Sequence, residues 1–419
     1  MADRITVIGW DGTPLTEAAS AALAGATLVA GAPYQLAALP VPAGAERLAL
    51  GNVQLAARRI AEHRGAAVVV AEGDPGFFGV VRTLRRPEYG LELEVLPAVS
   101  SVAAAFARAG MPWEDAQVVS THGGRLRRAA NVCRAHPKVA VLTSADAGPS
   151  ELALMLRDVH RTFVVCEALG TPEEDVTVLT SERVPDHVWR DPAVVLVIGG
   201  ASQNHTVGEA AGWLAGRPVG FPGPDRGWAL PEAAYAGAER AAPALDGGGH
   251  ALPPHVRALA LARLGPVPGD LVWAVGAGSG ALAVEIARFG AAVVAVEADR
   301  AACAQIAVNS RRYGVEVEAV HGVGPEVLGG LPEPDSVVVE SGGAEVVRAV
   351  LARRPERLVA VGHTLAEAEE IREAIATAGY RVDGALLQSA PLGAGRGAAA
   401  GLSFGPGEQS LVLWGEQES

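Results

Sequence analysis

The sequence predicts an α/β protein with at least two domains. Strand-like apolar runs alternate with segments of helical periodicity along most of the chain. Its 419 residues are too many for one ordinary hydrophobic core. Residues 199–254 collect Gly, Pro and Ala without an apolar period, which indicates a boundary. We therefore predict domains at residues 1–200 and 251–419, joined by a Gly/Pro-rich linker at residues 201–250.

The composition excludes several classes of partner. With a formal charge of −13 and an isoelectric point near 5.3, the chain would be repelled by nucleic acid and by anionic membranes. The apolar runs are too short to span a bilayer, and the N-terminus lacks a signal-peptide pattern. Cys133, Cys166 and Cys303 are widely spaced and predict neither a disulfide framework nor a metal site. We expect a cytoplasmic, homo-oligomeric enzyme without a metal that acts on a small molecule.

The first 114 residues alternate between strands and helices. In chain order, the predicted elements are the strand Arg4–Gly9, the helix Leu15–Leu23, the strands Ala26–Ala30, Ala66–Ala71 and Leu91–Leu96, and the helix Val102–Ala109. Two strands end in turns rich in Gly, Pro or Ser, at residues 72–79 and 97–101. Open α/β sheets bind ligands at the carboxyl ends of their strands, so both turns are candidate binding segments.

The polar side chains of these two turns also have local structural roles open to them. Asp74 offers a carboxylate to a ligand, but an Asx turn or a helix N-cap would use the same side chain. Ser100 and Ser101 offer hydroxyl groups and are equally suited to cap the helix that follows. The sequence leaves both interpretations open for each residue.

Residues 115–200 continue the α/β pattern. Strands are predicted near Val139–Leu142, Thr162–Cys166 and Ala193–Ile198. Ahead of them, His122 either faces a substrate or closes a turn. Arg125, Arg127 and Arg128 follow at helical spacing, where forked guanidinium groups are suited to ligand carboxylates. A solvated helix face explains the same three arginines.

A glycine-rich loop organises the C-terminal half. The predicted elements around it are the helix Val256–Leu264, the strand Leu271–Val275, the loop Gly276–Gly280, the helix Ala281–Arg288 and the strand Ala291–Val296. Glycines let a ligand lie against main-chain N–H groups, and the Glu297 carboxylate after the second strand can accept both ribose hydroxyls. The GxGxG spacing favours S-adenosylmethionine over a dinucleotide, because there is no pyrophosphate to seat. A tight turn without a ligand and an NAD-dependent oxidoreductase are the alternatives.

Three motifs in the first 200 residues together resemble the tetrapyrrole methylase family. They are ITVIGWDGTPLT, EGDPGFFG and LPAVSSVAAAFARAGMPWEDAQVVSTHG, in this order and at this spacing. The resemblance implies two α/β lobes, residues 1–114 and 115–200, with S-adenosylmethionine in the cleft between them. The cofactor-binding residues that it implies are Gly9, Gly73, Asp74, Pro75, Gly79, Ser100, Ser101 and Thr143. Candidate substrate-binding residues are His122, Arg125 and Arg128.

The C-terminal half resembles the decarboxylating precorrin methyltransferase domain, a Rossmann-like fold that uses S-adenosylmethionine. The matching segments are ALPPHVRALALARLGPVPGDLVWAVGAGSG, LPEPDSVVV and RPERLVA, and the implied cofactor-binding residues are Gly276, Gly278, Ser279, Gly280 and Glu297. The order of the two modules resembles the precorrin-6Y C5,15-methyltransferase (decarboxylating) family. That family methylates the C5 and C15 meso carbons of a precorrin and decarboxylates an acetate side chain, in cobalamin biosynthesis. The implied partner is therefore a corrinoid precursor.

The C-terminal module departs from its family at positions that bear on the cofactor. Ala274 stands where an acidic residue usually precedes the glycine loop, and Val323 stands where Asp is frequent. We therefore expect this module to bind S-adenosylmethionine more weakly than the N-terminal module. Equal binding would require carboxylates elsewhere, such as Glu340 or Glu326. A C-terminal module that only binds the macrocycle or assembles the protein is the alternative, and it leaves C5 methylation to the first module.

Overall fold

The computed structural model describes residues 4–51, 53–77, 79–144, 146–190, 193–199, 227–236, 252–390, 392–394, 402–404 and 408–417. The chain divides into two compact units. The first unit comprises Met1–Leu126, Ala140–Arg157 and Arg161–Ile198, and the second comprises Arg127–Val139, Asp158–His160 and Gly199–Ser419. Most of the predicted linker, residues 201–226 and 237–250, lies outside the described residues.

The first unit begins with a parallel sheet of five strands in the order β3-β2-β4-β1-β5. The strands are β1 (Arg4–Trp10), β2 (Leu28–Gly31), β3 (Glu46–Ala49), β4 (Ala67–Glu72) and β5 (Glu92–Leu96). The helices are α1 (Glu17–Ala24), α2 (Pro33–Ala38), α3 (Val53–Glu62), α4 (Val81–Leu84) and α5 (Ser101–Ala109). Val7 and Ile8 on β1 enter two different hydrophobic cores. Both faces of the sheet are therefore buried, which explains the continuous apolar runs.

A second sheet of five strands follows, in the order β6-β7-β10-β8-β9. The strands are β6 (Gln117–Ser120), β7 (Lys138–Leu142), β8 (Thr162–Glu167), β9 (Asp175–Thr180) and β10 (Ala193–Ile198), and the helices along this stretch are α6 (Leu126–Ala135) and α7 (Pro149–Met155). Strand β8 pairs antiparallel with both β9 and β10. Phe106 and Leu196 lie in the core beneath this sheet.

The second unit contains a sheet of seven strands in the order β13-β12-β11-β14-β15-β19-β16. The strands are β11 (Leu271–Val275), β12 (Ala292–Glu297), β13 (Glu318–His321), β14 (Ser336–Val339), β15 (Arg357–Gly362), β16 (Tyr380–Ser389) and β19 (Glu408–Gln417), with β17 (Leu392–Ala394) and β18 (Leu402–Phe404) as a separate pair. The helices are α8 (Pro254–Leu264), α9 (Ala281–Ala287), α10 (Arg300–Tyr313), α11 (Gly343–Leu351) and α12 (Leu365–Thr377). Strand order reverses between β11 and β14, and such a switch point opens a crevice at the strand ends.

Strand β11 lies at the centre of the second unit, and all five of its residues are buried. Trp273 packs into a core with residues of α11 and α12. Val272 and Ala274 face the opposite core, which contains residues of α8 and α9. Helices therefore cover both faces of the sheet. All of the strands and helices predicted above are confirmed, with bounds that shift by no more than two residues.

A buried ion pair ties α8 to α9. Arg257 Nε lies 3.4 Å from Glu285 Oε1, and neither side chain is exposed. Arg257 also donates to the carbonyl oxygens of Leu252 and Leu230. The hydroxyl of Tyr235 donates to Glu285 at 2.6 Å, as does the amide of Leu230 at 3.1 Å. Residues 227–236, which fall within the predicted linker, are thus held against the second unit.

Helix α6, apart from its first residue, belongs to the second unit although the first unit resumes after it in sequence. The Arg127 guanidinium donates to the Asp335 carboxylate and to the Glu333 carbonyl oxygen. Asn131 Nδ2 donates to the Gly269 carbonyl oxygen at 2.9 Å. Arg127, one of the three arginines considered for ligand carboxylates, therefore binds a carboxylate of the chain itself.

We predict that Glu285→Ala destabilises the second unit by about 3–5 kcal/mol, because it leaves the Arg257 charge buried without its counter-ion. Urea denaturation of the full chain measures the loss. Glu369→Ala is the control, because Glu369 pairs with Arg372 on the exposed face of α12. We expect an unchanged midpoint for the control. Equal midpoints for the two variants would contradict the prediction.

Candidate functional sites

The first unit contains a cavity of about 350 Å³ at the carboxyl ends of β1 and β4. The side chains around it that carry polar groups are Trp10, Asp11, Tyr34, Glu72, Ser101, Thr171, Glu173 and Arg190. Trp10, Asp11 and Glu72 lie at or just beyond the ends of parallel strands. The cavity therefore lies where the turns after the strands predict a ligand site.

Two of the predicted cofactor residues line this cavity, namely Gly73 and Ser101. Gly9 lies on β1 directly behind it, where a Cβ atom would overlap the carbonyl oxygen of Gly73. Pro75 is buried, and Gly79 packs against its carbonyl oxygen. Glycine at position 9 thus allows strand β1 and the turn after β4 to approach closely.

Asp74 and Ser100 have the local roles that the sequence left open. Asp74 Oδ1 accepts a hydrogen bond from the Gly76 amide at 2.8 Å, which is an Asx turn. Ser100 is the N-cap of α5 and accepts from the Ala103 amide at 3.1 Å. Neither side chain lines the cavity among the residues described. Both residues therefore shape the turns that bring Gly73 and Ser101 to the cavity.

The remaining candidates of the first half lie away from the cavity. The buried hydroxyl of Thr143 donates to the Ala193 carbonyl oxygen at 2.7 Å. His122 is exposed and closes a turn, with its Nδ1 atom 2.8 Å from Ser120 Oγ. Arg125 and Arg128 are exposed, as a solvated helix face would be.

Carboxyl groups outnumber cations around the cavity. Asp11, Glu72 and Glu173 face a single guanidinium group, that of Arg190, among the described lining residues. Burial raises the pKa of Asp11, but hydrogen bonds from the hydroxyl and amide of Thr13 together outweigh it, so the pKa is lowered. Asp11 is therefore ionised at neutral pH. This charge balance suits a ligand with positive charge.

The loop from Ala168 to Thr171 forms one side of the cavity. Ala168 has φ of +47°, a left-handed conformation that is strained for a residue with a Cβ atom. A Cβ at Gly12 would overlap the carbonyl oxygen of Gly170, and a Cβ at Gly170 would overlap that of Asp11. The two loops are therefore in direct backbone contact.

In the second unit, the loop after β11 and the turn after β14 meet at the switch point of the sheet, where an open α/β sheet is expected to bind its ligand. Gly276 has φ of +73°, and a Cβ there would overlap the Ser341 hydroxyl oxygen. Any larger residue would separate the two segments. Gly276 thus keeps the two sides of the expected crevice in contact.

Glu297 is held beside the glycine loop by two backbone amides. Its Oε2 atom accepts from the Gly278 amide at 2.8 Å, and its Oε1 atom accepts from the Asp299 amide at 2.9 Å. Each carboxylate oxygen retains a second lone pair for a ligand hydroxyl. Glu297 is therefore held beside the glycine loop, and its binding of a ribose stays a prediction.

The other loop residues are also brought to this crevice. The Ser279 carbonyl oxygen accepts from Asn309 Nδ2 at 2.8 Å, and Gly280 packs against Ile306. No described atom lies within 4 Å of where a Cβ of Gly278 would stand, so that side of the loop is open to a ligand. Helix α10 thus holds one side of the glycine loop, and the side at Gly278 is open to a ligand.

The two departures from the family pattern have different surroundings. Ala274 is fully buried within β11, whereas Val323 is largely exposed. Neither supplies a polar group to the crevice.

A buried carboxyl group, Glu340, lies at the end of β14. Its amide donates to the Val275 carbonyl oxygen at 2.8 Å, and the residue is 6% exposed. Burial raises the pKa of Glu340 well above the ordinary value, and the favourable charge of Arg257 does not offset it. Glu297 ends an apolar strand and Glu340 directly follows one, and Glu340 is one of the carboxylates that the sequence offers in place of those missing at Ala274 and Val323.

Two kinds of feature were not found among the described residues. No helix there is both long enough and apolar enough for a membrane crossing. No group of three or more His, Cys, Asp or Glu side chains there is arranged to hold a metal ion.

Two family models match the chain. The model for tetrapyrrole (corrin/porphyrin) methylases matches residues 11–185, and the model for a precorrin methyltransferase domain matches residues 248–401. The first match contains all the residues described as lining the cavity of the first unit except Trp10 and Arg190. The second contains the glycine loop, Glu297 and Glu340.

The chain is similar to curated proteins that are named as precorrin or cobalt-precorrin methyltransferases. A precorrin-6Y C(5,15)-methyltransferase [decarboxylating] of Mycobacterium tuberculosis strain CDC 1551 is 30% identical over 90% of this chain and 90% of its own length. A Sinorhizobium protein of the same name is 34% identical over 68% of this chain, which spans 65% of that relative. A cobalt-precorrin-7 C(5)-methyltransferase of Salmonella typhimurium is 35% identical over 43% of this chain and 92% of its own length.

We predict that Glu340→Gln makes the free energy of unfolding less dependent on pH. Above the ordinary carboxyl pKa of 4.5, the unfolded chain loses the Glu340 proton while the folded chain keeps it. Wild-type stability therefore falls as pH rises, by at most about 1.4 kcal/mol per pH unit from this group. Glutamine has no such proton, so the variant gains stability relative to wild type as pH rises.

Urea denaturation at about pH 5 and about pH 7.5 measures this difference. Glu345→Gln, at an exposed position of α11, is the control and should follow wild type at both values. A constant offset between Glu340→Gln and wild type across the range would contradict the prediction.

Proposed function

Because the chain belongs to the precorrin-6Y C5,15-methyltransferase (decarboxylating) family, we propose that it methylates the C5 and C15 meso carbons of a precorrin with S-adenosylmethionine and decarboxylates an acetate side chain, in cobalamin biosynthesis. One observation carries the proposal. The tetrapyrrole methylase model falls on the unit with the cavity at the ends of β1 and β4, and the precorrin methyltransferase model falls on the unit with the glycine loop and Glu297. Family membership also removes the oxidoreductase alternative.

The first unit suits S-adenosylmethionine by charge and position. The cofactor is positively charged at its sulfonium and ammonium groups, and Asp11, Glu72 and Glu173 surround the cavity. When bound, the cofactor supplies an activated methyl group. The backbone around Gly73 and the Ser101 hydroxyl provide polar contacts at the same cavity. Arg190 is suited to a precorrin side-chain carboxylate.

The second unit suits the same cofactor through its glycine loop. Glu297 keeps lone pairs for the ribose hydroxyls, and the open side of Gly278 leaves room for a ligand against the main chain. The residues present therefore fit an adenosine ligand, even though Ala274 offers no carboxylate.

We assign C5 methylation to the first unit and C15 methylation with decarboxylation to the second. The relative named as a C(5)-methyltransferase aligns with less than half of this chain while covering nearly all of its own length. The precorrin methyltransferase model matches the second unit. The assignment gives each crevice one methyl transfer.

In methyl transfer, the main role of the protein is to align the reacting atoms. An electron-rich meso carbon is already a nucleophile, so the role of the residues is to hold the reacting atoms at the right distance and angle. Decarboxylation is favoured where few cations stabilise the departing carboxylate. In the second unit, the guanidinium group that acts on Glu340 is that of Arg257, which is fully buried and already paired with Glu285.

A second candidate function keeps only the first unit catalytic. Ala274 and Val323 favour it, because both positions lack the expected carboxylates. The mass of the product separates the two functions. We expect the full chain, supplied with precorrin-6Y and S-adenosylmethionine, to add two methyl groups and release carbon dioxide. One added methyl group without loss of carbon dioxide would support the second candidate.

We predict that Ala104→Trp abolishes C5 methylation and spares C15 methylation, because Ala104 lines the cavity and an indole would fill part of it. Ala107→Trp, on the exposed side of the same helix, is the matched control and should leave both reactions unchanged. Mass spectrometry and product NMR measure the two methyl groups. Loss of both methylations in folded Ala104→Trp would contradict separate sites.

We predict the converse for Glu297→Gln, with C15 methylation and decarboxylation lowered about tenfold or more and C5 methylation unchanged. The amide can accept only one of the two backbone hydrogen bonds and loses the charge that strengthens them. Glu345→Gln serves as the control. An equal fall in both methylations would contradict the assignment of Glu297 to a separate second site.

A further inference from the structure

Glu340 lies on the same side of the central sheet as the two helices that flank the glycine loop. Val338 on β14 pairs with Ala274 on β11, and both belong to the core formed with α8 and α9. Side chains alternate along a strand, so Glu340, two residues after Val338, points to that side as well. It follows the last residue of β14, where the crevice begins. Its carboxyl group is thus buried at the carboxyl-terminal edge of the sheet, beside the start of the glycine loop.

This carboxyl group has no described partner of its own. Glu340 Oε1 is buried and accepts no hydrogen bond from the residues described. Arg257 is near enough to favour its ionised form, but the Arg257 guanidinium is already used by Glu285 and by two carbonyl oxygens. Buried polar groups are almost always paired in native proteins. An unpaired carboxyl oxygen beside a ligand crevice therefore points to a ligand that completes it.

The charges around Glu340 determine whether a positively or a negatively charged ligand is favoured. On α9 and after β12, the carboxylates of Glu285 and Glu297 act against its ionisation, and on α8 Arg257 acts in favour. His255, also on α8, has a buried Nε2 atom without a described partner. Even with Glu340 neutral, the two carboxylates of Glu285 and Glu297 against one guanidinium leave a negative excess, so an anionic group would be repelled and a cationic group attracted.

Resting on the proposed function, we propose that the Glu340 carboxyl group binds the ammonium of S-adenosylmethionine in the second unit. Glu297 is placed for the ribose, which leaves the amino-acid end of the cofactor for the neighbouring strand end. Glu340 thereby supplies, from β14, the carboxylate that Ala274 on β11 lacks.

This role couples cofactor binding to a proton. The free protein holds Glu340 neutral, because burial raises its pKa. The ammonium stabilises the ionised form, so the carboxyl group releases its proton to solvent as the cofactor binds. Affinity should then rise with pH, by at most tenfold per unit, below about pH 7.5, where the cofactor amine itself stays protonated.

Titration calorimetry on the full chain carrying Ala104→Trp tests the proposal, with that substitution removing binding at the first unit. S-Adenosylhomocysteine has the ammonium, whereas 5′-methylthioadenosine lacks the whole amino-acid end. We expect Glu340→Gln to weaken S-adenosylmethionine and S-adenosylhomocysteine by about tenfold to a hundredfold and to leave 5′-methylthioadenosine unchanged. Two buffers of different ionisation enthalpy should show a proton released by the Ala104→Trp chain and none by the double variant.

Three results would overturn the assignment to the ammonium. They are unchanged affinities in the Glu340→Gln variant, a loss confined to S-adenosylmethionine, and an equal loss for 5′-methylthioadenosine. If the second unit with Glu340 intact binds none of the three compounds, the proposed function of that unit fails, which is a separate outcome. Glutamine mimics the neutral carboxyl group in shape, so the fold of the free protein should be preserved.

Discussion

In a parallel sheet, all strands run the same way, so their carboxyl ends meet at one edge. This constraint places the functional groups of both units. Asp11 and Glu72 lie at or just beyond the ends of β1 and β4 in the first unit, and Glu297 and Glu340 lie at or just beyond the ends of β12 and β14 in the second. Residues far apart in sequence are thus brought to one crevice by strand direction alone. The helices and turns then determine which of these groups remain available to a ligand.

Both crevices contain an excess of carboxyl groups. In the first unit they surround a cavity with one described guanidinium group, and in the second Arg257 is used within the protein. An acidic chain repels anions in general, so a cationic cofactor is the kind of small molecule that these crevices attract. The two sheets differ in strand order, yet both carry an excess of carboxyl groups at the carboxyl ends of their strands.

The strands that the sequence predicted are confirmed because each is a short apolar run with a clear end. Strands such as β3 and β13, which are not buried, contain no such run and were not predicted. The sequence also located the glycine loop and Glu297, since their spacing is local. It could not separate ligand binding from turn formation at Asp74 and Ser100, because one side chain can do either and the backbone amides of Gly76 and Ala103 compete for it. Tyr34 and Arg190 carry no local signal, because tertiary packing alone brings them to the cavity.

The contact between Gly12 and Gly170 has a consequence for how this protein can evolve. Each glycine is required by the backbone of the other loop, since a Cβ at either position would overlap a carbonyl oxygen. A smaller side chain elsewhere cannot compensate, because the obstacle is main chain at both positions. Substitution of either glycine is therefore disfavoured, and related proteins that differ in the surrounding side chains should keep both glycines.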